Sequence, residues 1–295
     1  MKLFKKLFTA TLIILIVLST VGIIYVLQFK EETPTIKKTE KPAKLTAKKT
    51  VQAKKDKPKI LPGRSVSGRD VAIIIDDIGY DLDAVKSLLK VNVPLTFAIL
   101  PFQRDSREAA EMLNKDNKEI LLHLPMEPVS YPQEKPGQGA LFTDMNHAEL
   151  LLQLQNNIAA VPYVVGVNNH MGSKLMIQES KLSLIFNELK KRKLFFVDSR
   201  TSNDTRALSV ARQTGLPLAE RNIFLDHYRN YNDIYNSLIA VAKSNDDFPK
   251  VIIGHPYPET ARALKDAAKI MQEQGVSIVP VSQIIKKQKN INEKS

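Results

Sequence analysis

Asp76 and Asp77 stand side by side directly after the apolar run 71–75, and four of the chain's five histidines occupy comparable places. His123 lies in the run that begins at residue 119. His170 closes the string Asn168-Asn169-His170 after the run 163–167, His227 follows Asp226 after 216–225, and His255 follows 251–253. Asp198 and Arg200 come after 194–197 in the same way. Two adjacent carboxylates with two histidines suit a divalent ion held through nitrogen and oxygen, which can activate water and polarise a carbonyl. A further carboxylate can then take a proton from that water, and another histidine can give one to the leaving group. The chemistry is hydrolytic. Asp81 and Asp83 lie nearer the helix expected to begin near Ala84 and can cap it, which leaves Asp76 and Asp77 spare. His147 sits at an expected helix start and stands apart from the set.

The chain has no cysteine, so disulfides, thiolate metal sites and cysteine nucleophiles are all excluded. No Gly-x-Ser-x-Gly elbow supports serine catalysis, and no Gly-x-Gly-x-x-Gly turn supports a dinucleotide site.

These residues need a frame that gathers strand ends. Eight short apolar runs (71–75, 94–100, 119–122, 163–167, 194–197, 216–225, 251–253 and 276–279) alternate with stretches whose apolar residues recur every three to four positions. The amphipathic stretches are 105–117, 147–160, 179–191, 233–243 and 259–274, which the spacing predicts as helices. Continuous apolar strands separated by helices imply a parallel sheet covered on both faces. Eight such units predict an α/β chain folded as a (β/α) barrel of the TIM-like kind, with an open doubly wound sheet as the alternative. Either way, the loops at the carboxyl ends of the strands meet at one mouth.

Ahead of this region, residues 7–29 carry no charged side chain, and 23 helical residues would reach roughly 34 Å, enough to cross a bilayer core. With no small-residue cleavage site the run reads as an uncleaved anchor. The expectation is a single pass through the cytoplasmic (inner) membrane, amino terminus inside, with the following domain extracytoplasmic or periplasmic. Residues 1–69 hold 16 Lys+Arg against 4 Asp+Glu, leaving 27 of each for 70–295. The basic excess therefore belongs to a Lys/Pro-rich linker at 30–69 of disordered composition, and a nucleic-acid partner is disfavoured. The expected organisation is stub and anchor 1–29, linker 30–69, catalytic-type domain 70–285 and polar tail 286–295.

The strings IIIDDIGYD (73–81), LLHLPMEP (121–128), VGVNNHMGS (165–173), FFVDSRTS (195–202) and IGHPYPET (253–260) resemble the divergent polysaccharide deacetylases, the YibQ-like branch related to NodB-type carbohydrate esterases. The likeness runs over nearly all of 70–285. It implies a NodB-like deacetylase barrel, with Asp76 as general base, Asp77 and His123 as metal ligands, and His255 as general acid. The family motif containing His123 usually places a second histidine four residues on, where this chain has Glu127. His170 is the residue expected to supply the missing ligand. Asn169, Asp198, Arg200 and Glu127 are expected to contact substrate or orient the acid and base. The implied activity is removal of N-acetyl or O-acetyl groups from an envelope polysaccharide with a divalent metal, zinc first. The alternative is a catalytically inactive glycan-binding or scaffold protein.

Overall fold

The computed structural model describes residues 69–245 and 249–292. The expected span 7–29 and nearly all of the linker lie outside them. Among the described residues no helix is long and apolar enough to cross a membrane.

The expected alternation is present. Strands β1 (Asp70–Ile78), β2 (Thr96–Ile99), β3 (Glu119–Met126), β4 (Gly166–Met171), β5 (Phe195–Asp198), β6 (Leu218–Glu220), β7 (Ile223–Phe224), β8 (Lys250–Gly254) and β9 (Ser277–Ile278) alternate with helices over most of the chain. The helices are α1 (Leu82–Leu89), α2 (Ser106–Lys115), α3 (His147–Ala160), α4 (Glu179–Lys191), α5 (Ala207–Thr214), α6 (Tyr231–Lys243), α7 (Pro258–Glu273) and α8 (Val281–Asn292). The strands pair in parallel in the order β6-β5-β4-β3-β2-β1-β8-β7, with β9 on β1.

The barrel expected from the sequence is not closed by strand pairing. Residues 218–225 first pair with β5, Phe196 opposite Leu218, and then with β8, Ile223 opposite Ile252. The curled sheet is thus a half-barrel whose edges are bridged by one covalent stretch, because Arg221 and Asn222 leave one neighbour for the other. Three residue steps separate Glu220 from Ile223, so these edges approach within about 11 Å.

Side chains alternate across each strand. On β1, Val71, Ile73 and Ile75 face the helices, while Ala72 and Ile74 join an inner cluster with Leu121, Val197, Val251 and Ile253. Val281, Ile284 and Ile285 of α8 complete that inner cluster. Helix α8 plugs the end of the half-barrel opposite the mouth. Its first turn is held by the amino ends of β2 and β3: Val281 N–H donates to Thr96 Oγ1 (3.2 Å) and Ser282 N–H to Glu119 Oε1 (3.1 Å). Lys287 Nζ lies 2.6 Å from Oδ2 of the buried Asp70, whose carboxylate has no other partner among the described residues. The tail expected from residue 286 is therefore helical to Asn292. Arg69, expected in the linker, donates to the carbonyls of Gln274, Ala242 and Ser244 and belongs to the fold.

Candidate metal and acid–base centre

The same two-residue period that puts Ala72 and Ile74 inside puts Asp76 inside, at the carboxyl end of β1. In β3 it carries Leu121 to His123, in β4 Gly166 to Asn168 and His170, and beyond β8 it carries Ile253 to His255. The register fixes the levels, with His123 opposite Asn168 and Ile75 opposite Gly254. A regular strand would turn Asp77 away. Instead β1 is irregular between Ile75 and Ile78, and Asp77 takes φ 58°, which lets two successive carboxylates face the mouth. Gly79 follows at φ 136°, where a Cβ would lie 2.8 Å from Ser106 Oγ. Asp81 caps α1 by accepting from Asp83 N–H and Ala84 N–H, so the paired carboxylates are not spent on that helix.

Hydrogen bonding fixes how His123 presents itself. Asn168 Nδ2 donates to Asp76 Oδ1 (2.7 Å), since a carboxylate only accepts, and this leaves Asn168 Oδ1 to accept from His123 Nδ1 (2.9 Å). In the neutral ring the lone pair of His123 is therefore on Nε2. That atom lies 3.1 Å from His170 Nδ1 and 3.2 Å from Asp77 Oδ1, and His170 Nδ1 lies 3.0 Å from the same oxygen. Asp77, His123 and His170 thus offer one ligand atom each, all within 4.8 Å of one another. Asp77 Oδ1 is buried and makes no hydrogen bond. A buried carboxylate oxygen without a hydrogen bond, facing two imidazole nitrogens, fits a divalent cation of the kind bound by nitrogen and oxygen. Asn168 supplies the outer support that orients such a histidine ligand.

The electrostatics divide the remaining groups. Burial raises the Asp76 carboxyl above its ordinary range, although His123 and His255 pull it down. Burial also works to raise Asp77, but the imidazoles of His123 and His170, 3.2 and 3.0 Å from its Oδ1, outweigh it and hold that carboxyl far below the ordinary range. For His123 burial opposes the charged form, yet Asp76 and Asp77 prevail and raise it to about 9. His255 is also raised: burial disfavours its charge, and the Asp226 carboxylate overrides the burial. Asp226 Oδ1 is 2.8 Å from His255 Nδ1, while its Oδ2 accepts from His255 N–H (2.6 Å) and Thr260 Oγ1 (2.8 Å). His255 Nε2 is thereby aimed at the centre, 3.8 Å from Asp77 Oδ2.

Four other sequence candidates do different work. Glu127 does not join the ligand cluster; it accepts from Thr143 N–H, Thr143 Oγ1 and Lys174 Nζ, tying the β3–α3 loop to the loop after β4. Burial would raise its carboxyl, and Lys174 and Thr143 lower it instead. Asn169 points away from Asn168, donates to the Met171 carbonyl and accepts from Ser199 N–H, so it braces two loops. Asp198 accepts from Arg200 N–H and Thr205 Oγ1, and Arg200 pairs with Glu220 at 2.8 Å. Neither orients an acid or a base. Asp226 and Asn168 hold those positions, and the period of two could have selected Asn168 over Asn169 from His170 alone. His227 is exposed and packs edgewise on Phe224 and Tyr228.

Residues 73–285 match the family described as divergent polysaccharide deacetylase. The chain is 35% identical to the uncharacterized protein YibQ of Escherichia coli (strain K12) over 199 residues, covering 66% of this chain and 61% of that protein. It is 29% identical over 204 residues to an uncharacterized protein of Haemophilus influenzae, covering 69% of this chain and 72% of the other. The fold is shared with the crystal structure of the uncharacterized protein ATU2773 from Agrobacterium tumefaciens C58, at TM-score 0.70 and 21% identity over 76% of this chain and 92% of that one.

Proposed function

The chain belongs to the divergent polysaccharide deacetylase family, and from that premise we propose that its domain is a metal-dependent hydrolase removing acetyl groups from an envelope glycan. The observation that carries the reading is the convergence of Asp77 Oδ1, His123 Nε2 and His170 Nδ1 around a buried carboxylate oxygen with no hydrogen bond. A divalent cation held by these three atoms, zinc first, would supply Lewis acidity to the amide or ester carbonyl and to the attacking water.

The chain's own residues divide the proton work. Asp76 accepts a proton from water, because burial brings its carboxyl closer to the working pH and Asn168 holds one of its oxygens in place. His255 donates a proton to the departing nitrogen or oxygen through Nε2, because Asp226 holds Nδ1 and favours the charged imidazole. Two groups whose surroundings suit opposite proton roles are the mark of an acid–base pair.

Elemental analysis of the purified protein, with acetate release from N-acetylated chitooligosaccharides and peptidoglycan fragments, tests this. The expected result is bound metal in the wild type, metal loss in His123→Ala and His170→Ala, and retained metal with lost turnover in His255→Ala. Full metal content in His170→Ala would remove that residue from the ligand set. A second reading is a glycan-binding protein without turnover, since Glu127 stands where the family motif usually has its second histidine. No metal uptake by the wild type in added zinc would decide for it.

A further inference from the structure

Beside the centre lies an open cavity of about 240 Å³, lined among others by Asp77 and His255 at its inner end and by Ile78, Tyr80, Ala84 and Tyr257 along its walls. Pockets that take drug-sized ligands run from about 300 to 1,000 Å³. This one is the size for a single ring. Asp77 and His255 put a carboxylate and an imidazole at the reacting end, Ile78, Tyr80, Ala84 and Tyr257 supply aliphatic and aromatic walls, and Asp81 adds a second carboxylate to the lining.

The backbone that carries Tyr80 is anchored, and the Tyr257 ring is packed from behind. Arg104 Nη2 donates to the Tyr80 carbonyl (2.8 Å), Asp105 N–H to the Gly79 carbonyl (2.9 Å) and Leu100 N–H to the Ile78 carbonyl (2.9 Å), so the loop carrying Tyr80 is anchored at three successive residues. Tyr257 precedes Pro258 at the start of α7, and the Arg229 guanidinium lies 4.4 Å from its ring centroid. Glu259 in turn holds Arg229 at 3.2 Å. The Tyr257 ring also lies against the His255 imidazole, with centroids 5.7 Å apart. Despite this bracing Tyr80 remains 56% exposed. An exposed aromatic on an anchored backbone presents a binding face with less chain to order.

We propose that this cavity is the specificity pocket of the centre, and that the sugar ring bearing the acetyl group lies between Tyr80 and Tyr257 with its substituent directed at Asp77 and His255. The inference rests on the deacetylase reading above. A pyranose ring has an apolar C–H face that packs on an aromatic side chain, and its rim of hydroxyls stays toward water at the open side. Tyr80 and Tyr257 are positioning residues.

The test compares the full-length wild type with Tyr80→Ala, Tyr257→Ala and Tyr257→Phe, all zinc-loaded, using the N-acetylglucosamine tetramer as probe. The Ala variants are expected to keep their zinc and to raise KM for acetate release at least tenfold with kcat within about threefold. Tyr257→Phe, which keeps the ring, is expected to stay within about threefold of wild type in both constants. Wild-type KM in both Ala variants would overturn the pocket and leave the deacetylase reading standing, as would a fall in kcat alone. A zinc-loaded wild type that neither binds the tetramer nor releases acetate from it would overturn both.

Discussion

Asp226→Asn isolates what one buried carboxylate does for His255. The side chain keeps its shape, but an amide cannot accept on both ends. If its oxygen takes the place of Oδ2 and continues to accept from His255 N–H and Thr260 Oγ1, its –NH2 faces His255 Nδ1. That nitrogen must then become the acceptor, and the neutral imidazole moves its proton to Nε2. A hydrogen bond to a charged group contributes about 1.5–3 kcal/mol net. His255 should therefore titrate lower in the variant. The stability consequence has a definite sign. A histidine whose folded pKa is raised above about 6.5 stabilises the fold fully below that pH and loses the contribution as pH rises through the folded value. The variant should therefore lose about 2 kcal/mol at pH 6, a fall of about 4–8 °C in Tm for a domain of this size, and about 1 kcal/mol or less at pH 9. Calorimetric scans at the two pH values, with a 15N-detected titration of the imidazole in chelator, read both quantities. An equal loss of stability at both pH values with the His255 titration unmoved would refute the assignment of Asp226 as its charge partner.

Three further outcomes follow from the structure and a fourth from the sequence. In chelator, the raised His123 should make the protein lose stability from about pH 6.5 through about 9; if the proposed divalent cation takes the place of that proton, added zinc should flatten the profile, and a fluorimetric melt series with and without zinc checks it. Lys287→Met strands the buried Asp70 carboxylate and should cost about 3–5 kcal/mol, with Asp70→Asn in the same chain restoring much of the loss in urea titrations. Gly166→Ala would place a Cβ 2.4 Å from the Phe195 ring, and the overpacking should cost about 1–3 kcal/mol by the same titration. From the uncharged run 7–29, the full chain should fractionate with membranes and show its domain to protease only from outside the cytoplasmic membrane; a mature amino terminus beyond residue 20 would contradict the anchor.

The half-barrel was legible to the extent that its signals are local. Helices α3 and α4 occupy the expected residues because apolar positions recur on one face and Asn146 and Glu149 form a capping box at the first of them. Helices α5 and α8 carried weaker signals. The first has only 8 residues, and the second draws its buried residues from contact with the inner sheet face rather than from a run a reader would isolate. The run 216–225 was visible as apolar, but nothing in it announces that pairing passes from β5 to β8 at Arg221 and Asn222, since that depends on which neighbour each residue meets.

The same division runs through the candidate centre. Residue type and strand-end position by themselves brought out Asp76, Asp77, His123, His170 and His255 together with Asn168, Asn169, Asp198, Arg200, Asp226 and His227, because the carboxyl ends of parallel strands share one mouth whatever the details, and the family resemblance singled out the five. The roles within that mouth were decided by tertiary structure. Asn168 rather than Asn169 supports Asp76 because a strand turns alternate side chains to opposite faces, and Asp77 escapes that rule only through its positive φ. Asp226 rather than Asp198 or Arg200 holds His255 because β7 and β8 are paired neighbours, while β5 lies on the other side of the sheet beyond β1. Sequence fixes which side chains are available at each strand end, and the order in which strands pair, a matter of long-range packing, decides which of them meet.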